Sequence, residues 1–146
     1  MRKTYLAVAA ALLAFGMVQP ALAQNVSDTD ASLDKLFGEH ASYHQFFDDL
    51  RKAIGANDKH AVAAMVDYPF KTKINGKPTT VKSAAGFIVS YDKIVTVDVK
   101  DAVVQQTYPA LFANWQGVMI GKGNVWFSGL VGKDKKTRIK IIGINH

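Results

Sequence analysis

Residues Gln116–Leu130, QGVMIGKGNVWFSGL, decide the fold class. Two apolar runs, Gln116–Ile120 and Asn124–Leu130, flank Gly121-Lys122-Gly123, and a short glycine link between such runs predicts a hairpin. A polar loop rich in lysine follows, and then Arg138–Ile144 (RIKIIGI) predicts another strand. Consecutive strands with no helix between them pair antiparallel, because a parallel pair needs a long crossover. The last third of the chain is therefore an antiparallel sheet.

Upstream, the apolar period changes to that of a helix. Phe46, Phe47, Leu50, Ala53 and Ile54 form one stripe from Ser42 onward, and Gly55 is expected to end that helix. Asn57 or Asp58 caps a shorter helix carrying Ala61, Val62, Met65 and Val66, which Tyr68-Pro69 stops. Phe70–Ile74, Asn75-Gly76 and Lys77–Val81 predict a tight hairpin whose returning strand lies at an edge, since Pro78 cannot donate to a ladder. Ser83 caps a third helix with Phe87, Ile88, Tyr91 and Ile94 inward, and Thr96 recaps a continuation through Val99, Val103 and Val104. Helices segregated from a run of strands define an α+β fold.

The N-terminus reads as an export signal. Arg2 and Lys3 precede a run of 14 apolar residues, Tyr5–Val18, and Ala21-Leu22-Ala23 then offers small residues for cleavage before Gln24. Such a run rises only about 21 Å as a helix, short of the ~30 Å hydrocarbon core. Residues 1–23 are thus a cleavable signal peptide and the destination is the periplasm, with no stable membrane anchor after cleavage. Residues 24–41 read as a mobile N-terminal segment, with order beginning near Leu33 and a single α+β domain over residues 42–146. The 123 residues left after cleavage suffice for one core. Without Arg2 and Lys3, 16 basic residues face 12 acidic ones. An exported chain with so mild a charge is not expected to bind nucleic acid. Cysteine is absent, which removes thiol nucleophiles, disulfides and Cys-based zinc sites.

This order of elements, with a short second helix running into Asp67-Tyr68-Pro69-Phe70, resembles the cystatin-like cone of the nuclear transport factor 2-like superfamily over Tyr43–Ile144. The stretch from Val66 through Val104 also resembles small exported bacterial proteins of that shape. The resemblance implies helices packed in the concave face of a curved antiparallel sheet, with a pocket at the wide end. The superfamily holds isomerases, dehydratases, ligand binders and immunity-type proteins, so the fold alone does not fix the chemistry.

Few residues suggest chemistry of their own. His40 and His44 stand four apart beside Glu39, but no H-E-x-x-H occurs and a third ligand such as His60 would come from elsewhere, so no metal site is assigned. His44, Tyr91 and Asp92 are the weak catalytic candidates, as groups that could act as acid or base inside a cone. Phe47, Phe87, Tyr91 and Trp115 are the candidate walls of a ligand pocket. Trp126 and Phe127 must point to opposite faces of their strand, so one of them needs a second cover, and the pair is the candidate interface. No G-x-S-x-G nucleophile elbow and no phosphate-binding G-x-x-x-x-G-K-[ST] is present. Lys133, Lys135, Lys136, Arg138 and Lys140 form the densest basic cluster. The sequence therefore points to an exported, cofactor-free binding module for a protein partner of toxin-inhibitor or immunity type, or for a small apolar ligand. A homodimer through the sheet is a further candidate, and the alternative is a lyase or isomerase using the cone pocket.

Overall fold

The computed structural model describes residues 25–146; the expected signal peptide and its cleavage point lie outside the described residues. Helices α1 (Val26–Phe37), α2 (Ala41–Gly55) and α3 (Lys59–Ala64) lead into the hairpin β1 (Phe70–Ile74) and β2 (Lys77–Val81). Helices α4 (Ala84–Val89), α5 (Tyr91–Ile94) and α6 (Val97–Gln105) follow, then a 3-10 turn at Tyr108–Ala110. Strands β3 (Phe112–Asn114), β4 (Gly117–Ile120), β5 (Val125–Val131) and β6 (Thr137–Ile144) complete the chain. The fold is α+β with two antiparallel sheets, β1-β2 and β3-β4-β5-β6. Among the described residues no helix is long and apolar enough to cross a membrane.

Local signals account for most of these elements. Asn75 and Gly76 both take positive φ, the conformation a two-residue hairpin turn needs. The Asp58 side chain accepts from the Ala61 N–H, and Ser83 accepts from the Gly86 N–H, so both caps satisfy donors that the helix leaves open.

Several boundaries differ from the sequence reading. The expected mobile segment holds helix α1, because Asn25 and Asp28 form a reciprocal capping box and Thr29 and Leu33 are buried. Thr29 Oγ1 donates to Pro109 O at 3.2 Å and Tyr108 Oη donates to Asp30 at 2.7 Å, which ties α1 to the 3-10 turn. Gly55 is the last residue of α2 rather than its stop, and the left-handed position falls on Asn57. The third helix is broken at Ser90 into α4 and α5, and Ile88 is only half-buried. Thr96 flanks α6 without a capping bond, and its hydroxyl is buried without a partner.

The two sheets meet along β6. Val66 makes a parallel bridge to Ile141, with the Ile141 N–H donating to Met65 O at 2.8 Å and the Asp67 N–H donating to Ile141 O at 3.0 Å. Further on, Thr72 Oγ1 donates to Ile144 O at 3.2 Å. Opposite Trp126 and Phe127 the register shifts, leaving Ile142 as an extra residue in β6. A bulge of this kind bends its strand and sharpens the twist.

The helices cover one face of the larger sheet. Val118, Ile120, Val125, Phe127, Ile141 and Ile144 are buried on that face. Phe46 and Tyr43 of α2 approach the Phe127 ring at 5.0 and 6.4 Å between centroids. Gly129 lets α2 come close: an added Cβ would stand 2.7 Å from Tyr43 Oη, which accepts the Gly129 N–H. A second aromatic group joins the hairpin to the middle helices, with Phe70, Phe87 and Tyr91 in edge contacts at 6.1 Å. Phe87 has no exposed surface. Phe87→Ala is expected to lower stability by about 3–5 kcal/mol, as a buried phenylalanine deletion does. Denaturant titration measures this, and a loss below about 1 kcal/mol would contradict the packing.

Candidate functional site

The residues expected to wall a pocket do not form one. Phe47, Phe87 and Tyr91 are fully buried in the core, where neighbouring rings occupy the space a ligand would need. Trp115 stands apart from them, 81% exposed in the two-residue turn between β3 and β4. A hairpin closed by the Asn114–Gly117 pair projects its turn residues outward, so Trp115 cannot be a pocket wall. Phe127 is likewise a core residue and not an interface residue. Trp126 takes the opposite face, half-buried, in one cross-strand row with Phe112, Met119 and Gly143.

The catalytic candidates are also held apart. Tyr91 lies beneath Lys59 and Lys100, each 5.4 Å from its ring centroid, and burial pushes its hydroxyl up to about 12. That hydroxyl is inaccessible and has no hydrogen-bond partner. Asp92 is exposed between Lys59 at 2.9 Å and Lys100 at 3.3 Å, and these bonds hold its carboxyl below the usual range. Both lysines face the ring and the carboxylate together, which makes Asp92 the clamp of α3 to α5 and α6. His44 stacks on Tyr108 at 3.5 Å between centroids. His40 belongs to a different group, 2.8 Å from Asp34 and 3.8 Å from Asp30, and His60 is exposed on α3. Among the described residues no three His, Asp or Glu side chains converge as a metal site would require.

Open space lies instead beside β6. A cavity of about 520 Å³ is lined by Phe46, Ala53, Ala56, Ala61, Ala64, Met65 and Ile139, with Asp49, Lys52, Asp58 and Lys140 around it. A second, of about 590 Å³, shares Phe46, Asp49 and Ile139 and continues to Glu39, Ser42, Gln45 and Thr137. Together they form one groove between the outer side of α2, the end of α3 and the edge of β6. Alanines three apart on successive helix turns, Ala53 with Ala56 and Ala61 with Ala64, leave its floor low. That spacing is the sequence signal for this site, and it is a faint one. Lys140 Nζ donates to Ala64 O at 2.7 Å and so closes the end of α3.

The wall formed by β6 has an unusual property. Ile141 directs its N–H and C=O away from β5, toward Met65 and Asp67. Backbone direction alternates along an antiparallel strand, so Ile139 and Thr137 also direct their polar groups outward. Beyond Ile141 no backbone partner meets them among the described residues. On the far side of the same edge lies a further hollow of about 360 Å³, bounded by Asp67, Leu130 and Arg138. The edge from Thr137 to Lys140 thus has open space on both faces.

Comparison of the chain with known protein families, with curated proteins and with solved structures finds no match. The site must be judged on its own geometry.

The His40 cluster generates a pH effect. The hydrogen bond to Asp34 raises the imidazole above its ordinary 6.5, and Asp30 and Glu39 add to this. A raised folded value means that protonated His40 stabilises the α1–α2 corner fully below 6.5, and that this contribution is lost as pH rises through the folded value. Hydrogen-exchange protection of Leu33 is therefore expected to fall, relative to Leu50, as the pH is raised above 6.5. His40→Gln should flatten the response; an unchanged pH dependence in that variant would remove His40 as the cause.

Proposed function

We propose that this chain is an exported, non-enzymatic binding module of the cystatin-like cone type, recognising an extended segment of a protein partner along the open edge of β6. The observation that carries the reading is the outward-directed backbone of Thr137 and Ile139 beside an apolar groove. An incoming strand would continue the ladder that Met65–Asp67 begins at Ile141. Strand addition gives affinity through main-chain hydrogen bonds, and side-chain hollows on the two faces give selectivity. Here the inner hollow is apolar, with Phe46 and Ile139, and the outer one is polar, with Asp67, Arg138 and Lys140.

The cone reading is supported by the quasi-continuous order β2-β1-β6-β5-β4-β3, by the bulge at Ile142 and by helices on one face only. Export and a periplasmic location are supported by residues 1–23, and an immunity-type inhibitor fits the same edge. A small apolar ligand is the second reading, favoured by the volume of the alanine-floored cavity. The lyase or isomerase reading has little left to act with, because Tyr91 is sealed in the core and Asp92 is held by two lysines.

Peptides selected from a displayed library of unstructured sequences test the site by nuclear magnetic resonance. Amide shifts are expected at Thr137–Lys140, Phe46 and Met65, with the Ile139 amide becoming protected from exchange. Shifts centred on Phe112, Met119 and Trp126 would move recognition to the outer sheet face and overturn the edge. Separately, the native protein is expected to begin at Gln24. Intact mass decides this, and a species retaining residues 1–23 would overturn export with cleavage.

A further inference from the structure

Strands β3–β4 and β5–β6 each close a hairpin at the same end of the larger sheet, since all neighbours in it are antiparallel. The first turn carries Trp115, 81% exposed, and Phe112, 51% exposed, begins the strand that leads into it. The second, Gly132–Lys136, carries Lys133, Lys135 and Lys136 and begins just after Val131, which is 71% exposed. The Val118–Phe127 pair, carried one residue along both strands, sets Gly117, which follows the first turn, level with Ser128, three residues before β5 ends at Val131. One end of the sheet therefore gathers exposed apolar side chains and three ammonium groups.

The lysine turn is built and held. Gly132 N–H donates to Lys136 O and Lys135 N–H donates to Gly132 O, both at 2.9 Å. The lone carboxylate of the turn, Asp134, accepts the Lys136 N–H and binds Arg138 through both guanidinium nitrogens, at 3.1 and 2.6 Å. Arg138 neutralises Asp134, and the three lysines make no ion pair among the described residues. An excess of three positive charges and an exposed indole therefore lie at the same end of the sheet.

We propose that this end of the sheet is a peripheral docking surface for an anionic lipid bilayer, with Trp115 entering the headgroup layer and Lys133, Lys135 and Lys136 held over anionic phosphates. The combination selects that partner. Indole rings favour the membrane–water interface, and lysines near an anionic surface each add about 1 kcal/mol of attraction, equivalent to roughly fivefold in partitioning. A polyanion with no apolar or stacking surface would use the lysines alone. The contact is reversible surface binding, distinct from the peptide edge on β6.

Residues 24–146 hold every core side chain described above and serve for the test. They are sedimented with vesicles of phosphatidylcholine alone or with about a third phosphatidylglycerol, at low and high salt. Binding is expected only to the anionic vesicles and is expected to fall with salt. The triple variant K133Q/K135Q/K136Q should lose on the order of 100-fold in partitioning, and Trp115→Ala roughly tenfold. All four positions are exposed, and unchanged circular dichroism controls for folding. In a Trp126→Phe background, Trp115 emission should shift to the blue on binding. Absence of binding to anionic vesicles at low salt overturns the proposal. So does binding in which Trp115 emission stays unshifted, or dextran sulfate binding that matches the vesicles in Trp115→Ala; either would reassign the tip to polyanions in general.

Discussion

Two hydrogen bonds set where this molecule is closed and where it is open: Ile141 N–H to Met65 O and Asp67 N–H to Ile141 O. They attach the end of α3 and the start of the β1 hairpin to the middle of β6. Through them the small sheet is aligned with the large one, although no regular ladder joins the two. They also use the outward backbone of β6 at one residue only. Because α3 turns away at Ala64, the same edge is left bare from Thr137 to Ile139. The groove follows from how the chain enters the sheet, and the bulge at Ile142 lets β6 bend there while Ile144 stays in the core.

The interior is filled by rings. Phe47, Phe87, Tyr91 and Phe127 come from four different elements and are all fully buried. This explains how a domain without disulfides or a metal cluster among its described residues holds together, since large buried side chains supply most of the hydrophobic stabilisation. It also bears on function. An interior packed with aromatic side chains leaves no room for a substrate among Phe47, Phe87 and Tyr91, and the open space lies beside β6 instead. Tyr91 shows the consequence at one residue: its hydroxyl is buried without solvent, partner or access.

Much of the fold was legible because its signals are local. Asn75-Gly76, the caps at Asp58 and Ser83, and the apolar stripe Phe47-Leu50-Ile54 each act within a few residues. Helix α1 was missed for a physical reason: it buries only Thr29 and Leu33, and one of these is polar, so its apolar period is too weak to see. The box formed by Asn25 and Asp28 was its readable mark. Strand β3 is three residues long, below the length at which alternation can be recognised. Trp115 was misplaced as a pocket wall because aromatic content says nothing of direction. The groove was invisible for a deeper reason. Its lining joins α2, α3 and β6, and its open edge is a property of backbone direction, which no side-chain pattern encodes.

The basic cluster shows the same limit from the other side. As sequence, Lys133, Lys135, Lys136, Arg138 and Lys140 are five equivalent positive charges. Folded, they separate into three kinds. Arg138 is spent on Asp134, Lys140 reaches across to Ala64 O, and only the turn lysines project without an ion pair. Charge number alone would have spread the cluster along the strand, over the edge that the peptide reading needs. The fold divides it, placing structural cations along β6 and unpaired ones in the turn before it, at the same end of the sheet as Trp115. A strand edge flanked by engaged charges can accept backbone, while a tip with unpaired ones attracts anions. The two surfaces can therefore operate on one sheet without competing for the same groups.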